Sequence, residues 1–303
     1  TLFRSLTALE RPSQYTLTSW LVDEPFSVKG QDGQVWRPQN YDRRAHGTIY
    51  LYQGLANSYN LSTAKLGLEV GVPTVLKTLE RLGVSRSWPA FPSMLLGAGA
   101  LTPVEVATMY QTIANGGFNT PLRAIRNVLT ADGQPLKRYP FQVQQRFDPG
   151  AIYLVQTAMQ RVMSEGTGRS VYNQLPRSLN LAGKTGTSND SRDSWFAGFS
   201  QDLLAVVWMG RDDNGPTPLT GATGALQVWT GFMRRADPLP LNMPMPDNVV
   251  MAWVDAATGQ GSAAGCPNAV QMPYIRGSEP APGPACGQTP ADTVMDWVRG
   301  WLN

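Results

Sequence analysis

The sequence predicts an α+β fold, with an antiparallel sheet covered by helices and a helical subdomain beside it. Three observations predict it. Up to Gly166 the apolar residues recur mostly at helical spacing, punctuated by helix starts and stops. From Ser178 the spacing changes to short alternating runs, enough for three successive strands. Ala225 to Arg235 then returns to helical spacing and can lie over the sheet.

In chain order, Leu6 to Glu10 reads as the last turns of a helix cut short by Pro12. Gly30-Gln31-Asp32-Gly33 is a turn in a polar, strand-like region. Thr48 to Val70 reads as two helices with Ser58-Tyr59-Asn60 at their junction, and Pro73 to Leu82 as a further helix stopped by Gly83. Thr102-Pro103-Val104-Glu105 is a helix start. Thr102 can cap, Pro103 suits the first helical position, and Glu105 can reach back to the cap's amide. That helix runs to about Ala114 and stops at Gly116-Gly117. Asp148-Pro149 opens another, ending near Gly166. "SLNLAGKTGT", "DSWFAGF" and "DLLAVVWMG" are the three strands, turned at Ser188-Asn189-Asp190 and at Gln201-Asp202. Beyond Arg235, "ADPLPLNMPMPDN" is a surface strap, Val249 to Ala263 a small hairpin, and Asp292 to Leu302 a short amphipathic end helix.

The 303 residues are 42% hydrophobic and 16% charged, so the chain can bury a sizeable core. A net charge of +3 is too small and too scattered along the chain to imply a nucleic-acid surface. No apolar run approaches the roughly 18 residues a membrane span needs. Thr1 to Glu10 lacks the charged start and apolar stretch of a secretory leader, and the first residue is not Met. An excised piece of a longer protein is expected. Cys266 and Cys286 are either separate thiols or a disulfide, and the disulfide is the expectation. Closing a loop of about 20 residues would contribute roughly 3 kcal/mol in the chain-entropy model. It would also indicate an oxidising compartment.

Lys184-Thr185-Gly186-Thr187 is the most specific short pattern. With this chain's composition, Lys-Thr-Gly arises by chance only roughly 0.04 times. On a strand edge, an ammonium with flanking hydroxyls can hold a substrate carboxylate, and Gly186 admits a close backbone. Ser58-Tyr59-Asn60 is weaker, because Ser-x-Asn is expected roughly 0.8 times by chance. Its position between helices lets it face the Lys184 strand across a groove. The second copy, Ser178-Leu179-Asn180, precedes Lys184 on the same strand and cannot form an opposing wall. Ser62-Thr63-Ala64-Lys65 also fits Ser-x-x-Lys, but it adjoins Ser58 on one segment, so it reads as an ordinary helical Ser and Lys. His46, the only histidine, reads as a solvated loop residue. One His and two distant Cys argue against a metal site. Arg211-Asp212-Asp213 reads as an ion-paired turn.

These residues, together with "MLLGAGALTPVEVATMYQTIANGG", "EGTGR", "LAGKTGTSND", "GRDDN" and "GATGA", closely resemble the transpeptidase domain of class A penicillin-binding proteins, nearest their 1B type. The resemblance runs from Leu6 to about Arg235 and more loosely through "VDAATGQG…CPNAV…RGSEP". It implies a penicillin-binding protein or serine β-lactamase-like fold and a serine acyl enzyme. Such an enzyme cross-links D-Ala-D-Ala peptide stems of peptidoglycan, and β-lactams acylate the same serine. It implies that Ser58 relays protons and that Asn60 hydrogen-bonds the acyl-side peptide. Lys184, Thr185 and Thr187 would bind the terminal carboxylate, with the Thr187 amide as half of the oxyanion hole. No cofactor is implied. The periplasm is, with a glycosyltransferase domain, an inner-membrane anchor and lipoprotein activators belonging to the full-length protein.

The sequence departs from that family at its start. Aligning "LTALE" puts the lysine of the family's Ser-x-x-Lys on Thr1 and its serine before residue 1. Thr1 to Ser5 is what the end of a common sequencing adapter encodes, so it is expected to be translated adapter joined to a genuine frame at Leu6. The expected organisation is residues 1–5 as artefact, 6–236 as an incomplete transpeptidase domain and 237–303 as a Pro-rich extension. The chain alone is expected to be inactive and unstable. Two other readings stand beside this one. A serine β-lactamase or D,D-carboxypeptidase shares the motifs, but "LTPVEVA", "GTGR" and the tail argue against it. The other is a non-catalytic wall-binding domain.

Overall fold

The computed structural model describes residues 2–30, 33–283 and 286. The expected end helix over Asp292 to Leu302 lies outside them, as do Gln31 and Asp32 of the expected turn.

Helix α1 (Leu2–Leu9) starts earlier than its apolar spacing indicated and stops short of Pro12. β1 (Trp20–Asp23), β2 (Val28–Lys29), β3 (Val35–Trp36) and β4 (Gly47–Tyr50) follow; β1 pairs with β4 and β2 with β3, both antiparallel. Thr48 to Tyr50 is therefore strand, not helix. Thr48 and Ile49 are β-branched and sit opposite Val22 and Leu21, so cross-strand packing overrides the helical spacing. α2 (Leu51–Ala56), α3 (Asn60–Val70) and α4 (Val72–Arg81) come next, and residues 57–59 join the first two.

α5 (Pro103–Ala114) carries the expected capping box. The Thr102 hydroxyl accepts from the Glu105 amide at 3.3 Å, and the Glu105 carboxylate accepts from the Thr102 amide at 2.7 Å. Replacing Thr102 by alanine is expected to lower stability by about 1 kcal/mol, read as a reduced urea midpoint with unchanged slope. After Gly116 and Gly117, both at positive φ, come β5 (Phe118–Asn119), β6 (Asn127–Leu129), β7 (Pro135–Arg138) and β8 (Gln144–Gln145). They form a small exposed arm that the sequence reading did not assign. α6 (Pro149–Ser164) is capped by Asp148, which accepts from the Ala151 amide at 3.0 Å.

β9 (Ala182–Thr187), β10 (Asp193–Phe199) and β11 (Leu204–Gly210) form the antiparallel sheet in the order β11-β10-β9. Alternation splits its side chains between two cores. Ala197, Phe199, Leu204 and Val206 pack with α5 and α6. Phe196, Ala205 and Val207 face the other way, onto Leu226, Trp229 and Met233 of α7 (Ala225–Ala236). Ser178-Leu179-Asn180 is not on β9. It forms a single helical turn closed by Asn180 in the left-handed region, because Asn tolerates that backbone and breaks the run.

The final hairpin is longer than expected. β12 (Val249–Asp255) pairs with β13 (Ala269–Ile275), whereas Gly261 makes only one bridge to Val254. The Asp255 carboxylate accepts from the Ala257 and Thr258 amides, turning the chain before the true partner strand arrives. Met272 and Tyr274 of β13 enter the same core as α1 and α6. Cys266 and Cys286 are joined as a disulfide.

Candidate active site

Ser58 lies between α2 and α3 with a φ of 61°. A non-glycine residue in this region costs about 1 kcal/mol or more and is kept only where its surroundings demand it. The conformation aims Ser58 across a groove at the sheet, where Lys184 Nζ donates to its Oγ at 3.0 Å. These two residues lie 126 positions apart in the chain.

Lys184 sits on β9, the edge strand, and only 5% of it is exposed. Its Nζ also donates to the Thr185 carbonyl at 3.1 Å. Burial, and secondarily the Arg4 guanidinium, brings its ammonium from an ordinary 10.5 down to about 7. A proton is therefore readily given up or taken back at this atom near neutral pH.

The rest of the Lys184-Thr-Gly-Thr segment is braced from two sides. Thr185 Oγ1 lies 2.7 Å from Thr167 Oγ1, in the "EGTGR" segment. The Thr167 amide in turn donates to the Ala56 carbonyl at 3.1 Å, at the end of α2. One short segment thus ties the Ser58 turn to the strand opposite it. Gly166 is required there, since any Cβ would collide with the Ala56 carbonyl. On the other side, Thr187 Oγ1 accepts from the Gly221 amide at 2.9 Å, which leaves the Thr187 hydroxyl proton free to donate. Gly221 lies flat on β9; a Cβ there would come within 2.6 Å of the Gly186 carbonyl oxygen.

The structure thus brings Ser58, Lys184 and Thr185 together. Asn60 is the first residue of α3, but its Nδ2 donates to the Gln39 carbonyl at 2.9 Å, so its Oδ1 is the end left for a ligand. Ser62 does not pair with Lys65. Its Oγ is buried without a partner among the described residues, while Lys65 Nζ lies 5.3 Å from the Phe26 ring centre. His46 is not a solvated loop residue: Nδ1 lies 2.8 Å from Asp23 and Nε2 3.0 Å from Asp42. Arg211 and Asp213 form an ion pair at 2.7 Å on an exposed turn. A cleft of about 750 Å³, on the side of Phe199, Met243 and Asn248, includes none of Ser58, Asn60 and Lys184.

Thr167 was not singled out by the sequence reading, although "EGTGR" was. Two glycines flanking a threonine between a helix and the Lys184 strand were the available signal. Arg4 was missed entirely. It is 1% exposed, its three guanidinium nitrogens lack hydrogen-bond partners among the described residues, and burial lowers its pKa from an ordinary 12.5 to about 9.

Residues 21–216 match the family described as the penicillin-binding protein transpeptidase domain. The chain belongs to that family. Penicillin-binding protein 1B of Vibrio cholerae is 44% identical over 88% of this chain and 34% of its own length. Penicillin-binding protein 1B of Escherichia coli is 42% identical over 82% of this chain and 30% of its own length. The chain thus spans about a third of the length of these curated relatives. The crystal structure of penicillin-binding protein 1A from Haemophilus influenzae superposes with a TM-score of 0.84 at 25% identity, covering 92% of this chain and 47% of that one. PonA1 from Mycobacterium tuberculosis, in a complex with penicillin V, shares the fold with a TM-score of 0.67 at 22% identity, covering 80% of this chain and 69% of that one. In this chain Lys184, on an edge strand, and Ser58, at the junction of two helices, face each other.

Proposed function

We propose that this chain is the D,D-transpeptidase domain of a peptidoglycan synthase, acting on D-Ala-D-Ala stems through a serine acyl enzyme and binding β-lactams. The contact of Lys184 with Ser58 across the groove carries the reading. The nucleophile belongs to a Ser-x-x-Lys segment upstream of Thr1.

In the first half-reaction the nucleophile's oxygen bonds to the carbonyl carbon of the penultimate D-Ala, and its proton passes to the motif's lysine. The C–N bond to the terminal D-Ala then breaks. The leaving nitrogen takes the Ser58 hydroxyl proton, which Lys184 replaces. An acceptor amine next bonds to the ester carbon and gives its proton to Ser58 and on to Lys184; the ester C–O bond breaks and the nucleophile's oxygen takes back its proton from the motif's lysine, which divides one difficult exchange into two steps. Lys184 and the Thr185 and Thr187 hydroxyls hold the terminal carboxylate, with Gly186 keeping the strand open to it. The Thr187 amide supplies half of the oxyanion hole, and Asn60 Oδ1 accepts from the stem's amide.

The organisation proposed is a transpeptidase domain over residues 6–236 and a C-terminal extension over 237–303, stapled by Cys266–Cys286. Residues 1–5 are read as foreign to the domain; the buried Arg4 guanidinium, with no hydrogen-bond partner among the described residues, supports this. The full-length protein would face the periplasm from the inner membrane, with a glycosyltransferase domain and lipoprotein activators. The test is labelling with fluorescent penicillin. This chain is expected to form no covalent adduct, and the protein extended upstream of Leu6 with its native sequence is expected to form one. An adduct on Ser62, or none on the extended protein, would overturn the reading.

A further inference from the structure

The Ser58 turn is held by a network that never touches Lys184. The cap residue of α3 is Tyr59, which makes no side-chain cap hydrogen bond, yet the first amides of a helix need acceptors from elsewhere. They come from distant loops. Asn40 Oδ1 accepts from the amides of Asn60 at 2.6 Å and Leu61 at 3.1 Å. Asp23 Oδ1, at the end of β1, accepts from the amide of Ser62 at 2.8 Å. Both side chains are buried. Asn40 Nδ2 then donates to Asp23 Oδ2 at 2.6 Å, closing the pair.

His46 closes the network from outside. Nδ1 meets Asp23 Oδ2 at 2.8 Å and Nε2 meets Asp42 Oδ2 at 3.0 Å. Its ring stacks on Tyr59 with centres 3.8 Å apart. The titratable groups facing it are therefore Asp23 from β1, Asp42 from the loop before β4, and Tyr59 from the Ser58 turn itself. Only an imidazolium has an N–H for both carboxylates; neutral imidazole turns a lone pair towards one of them. Burial disfavours the Asp23 charge, but its bonds from Ser62, His46 and Asn40 outweigh this and hold its carboxyl below the usual range.

We propose that His46 is a positioning residue: through Asp23 and Asn40 it holds the Ser58-Tyr59-Asn60 turn, more firmly when protonated. The inference rests on Ser58 and Asn60 being site residues. Protonated His46 makes a charge-assisted bond to Asp23, roughly twice as strong as a neutral one. Asp23 and Asn40 then grip the first three amides of α3, and the left-handed Ser58 is kept aimed at Lys184.

The test is amide hydrogen exchange of the Asn60–Ser62 segment in the full-length protein, corrected for intrinsic rates and followed from acidic to alkaline pH. In the wild type, protection is expected to fall several-fold as pH rises. In His46→Gln, and in His46→Asn as a second variant, it is expected to be low and independent of pH. A merely space-filling role would lower protection equally at every pH. A flat wild-type profile, or a variant that keeps the slope, would overturn the proposal. Penicillin acylation of Ser58→Ala tests the site reading separately. Should that variant acylate normally, the site reading fails, while the exchange profile alone decides the role of His46.

Discussion

Replacing Ser58 by alanine in the full-length protein is expected to slow acylation by penicillin by roughly 10²- to 10⁴-fold, the usual contribution of a positioned proton-transfer group. The reason is the path of one proton. Ser58 Oγ is held 3.0 Å from Lys184 Nζ, and Lys184 titrates near 7. Without the hydroxyl, the leaving nitrogen has no donor within reach and Lys184 has no partner to pass a proton to. Lys184→Met, which keeps much of the stem but not the charge, is expected to cost a comparable factor. Burial lowers the Lys184 pKa below the ordinary lysine range, so the wild-type rate is expected to carry a pH-dependent limb that vanishes in Lys184→Met. Stopped-flow acylation of the three proteins, with thermal melts as a folding control, measures this. A loss of less than tenfold in Ser58→Ala would remove Ser58 from the relay.

Replacing Arg4 by methionine is expected to stabilise the 303-residue chain by about 2–4 kcal/mol, since a buried charge without partners is exchanged for an apolar side chain of similar length. Arg4 packs on α3, where its Cδ lies 2.8 Å from the position of a Cβ on Gly67, and none of its guanidinium nitrogens has a hydrogen-bond partner among the described residues. At this chain length the melting temperature should rise by roughly 3–6 °C. The pH dependence follows from the direction of both shifts. Arg4 and Lys184 each bind a proton less tightly folded than unfolded, Arg4 near 9 and Lys184 near 7. In the window above those values the unfolded chain holds more protons, so stability rises with pH through it. The gain from Arg4→Met should therefore be complete below about pH 9 and shrink above it. Removing the Arg4 charge should also let Lys184 hold its proton to higher pH. Melting curves across pH test both. A variant no more stable than the parent would mean that Arg4 suits its site, and residues 1–5 would lose their support as foreign sequence.

Much of the fold was legible because its signals are local. Thr102, Pro103 and Glu105 specify a helix start within four residues, and the structure places their hydrogen bonds as expected. Alternation in "DSWFAGF" and "DLLAVVWMG" marks strands whatever lies beside them. The misreadings have a shared cause. Thr48 to Tyr50 became strand only because β1 lies beside it, and β12 found its partner beyond Gly261 only because β13 packs into the core. In both places the partner is distant in the chain, and pairing energy outweighs local preference.

The same division runs through the site. By itself, the sequence determined the family and the chemistry on offer. Lys184-Thr185-Gly186-Thr187 is too specific a combination to arise often by chance, and the surrounding segments match one domain type. Tertiary structure supplied the physical difference between the two serines. Ser58 and Ser62 are four residues apart, and the sequence already favours Ser58; the fold brings Ser58 to Lys184 from a left-handed turn and seals Ser62 in the packing of α2 and α3. It also decided that His46 is bound between two carboxylates, and that the Arg4 guanidinium is buried without a hydrogen-bond partner among the described residues. The physical reason is range. Helix caps and strand alternation act over a few residues, whereas burial and the meeting of charges depend on which distant segments the fold brings together.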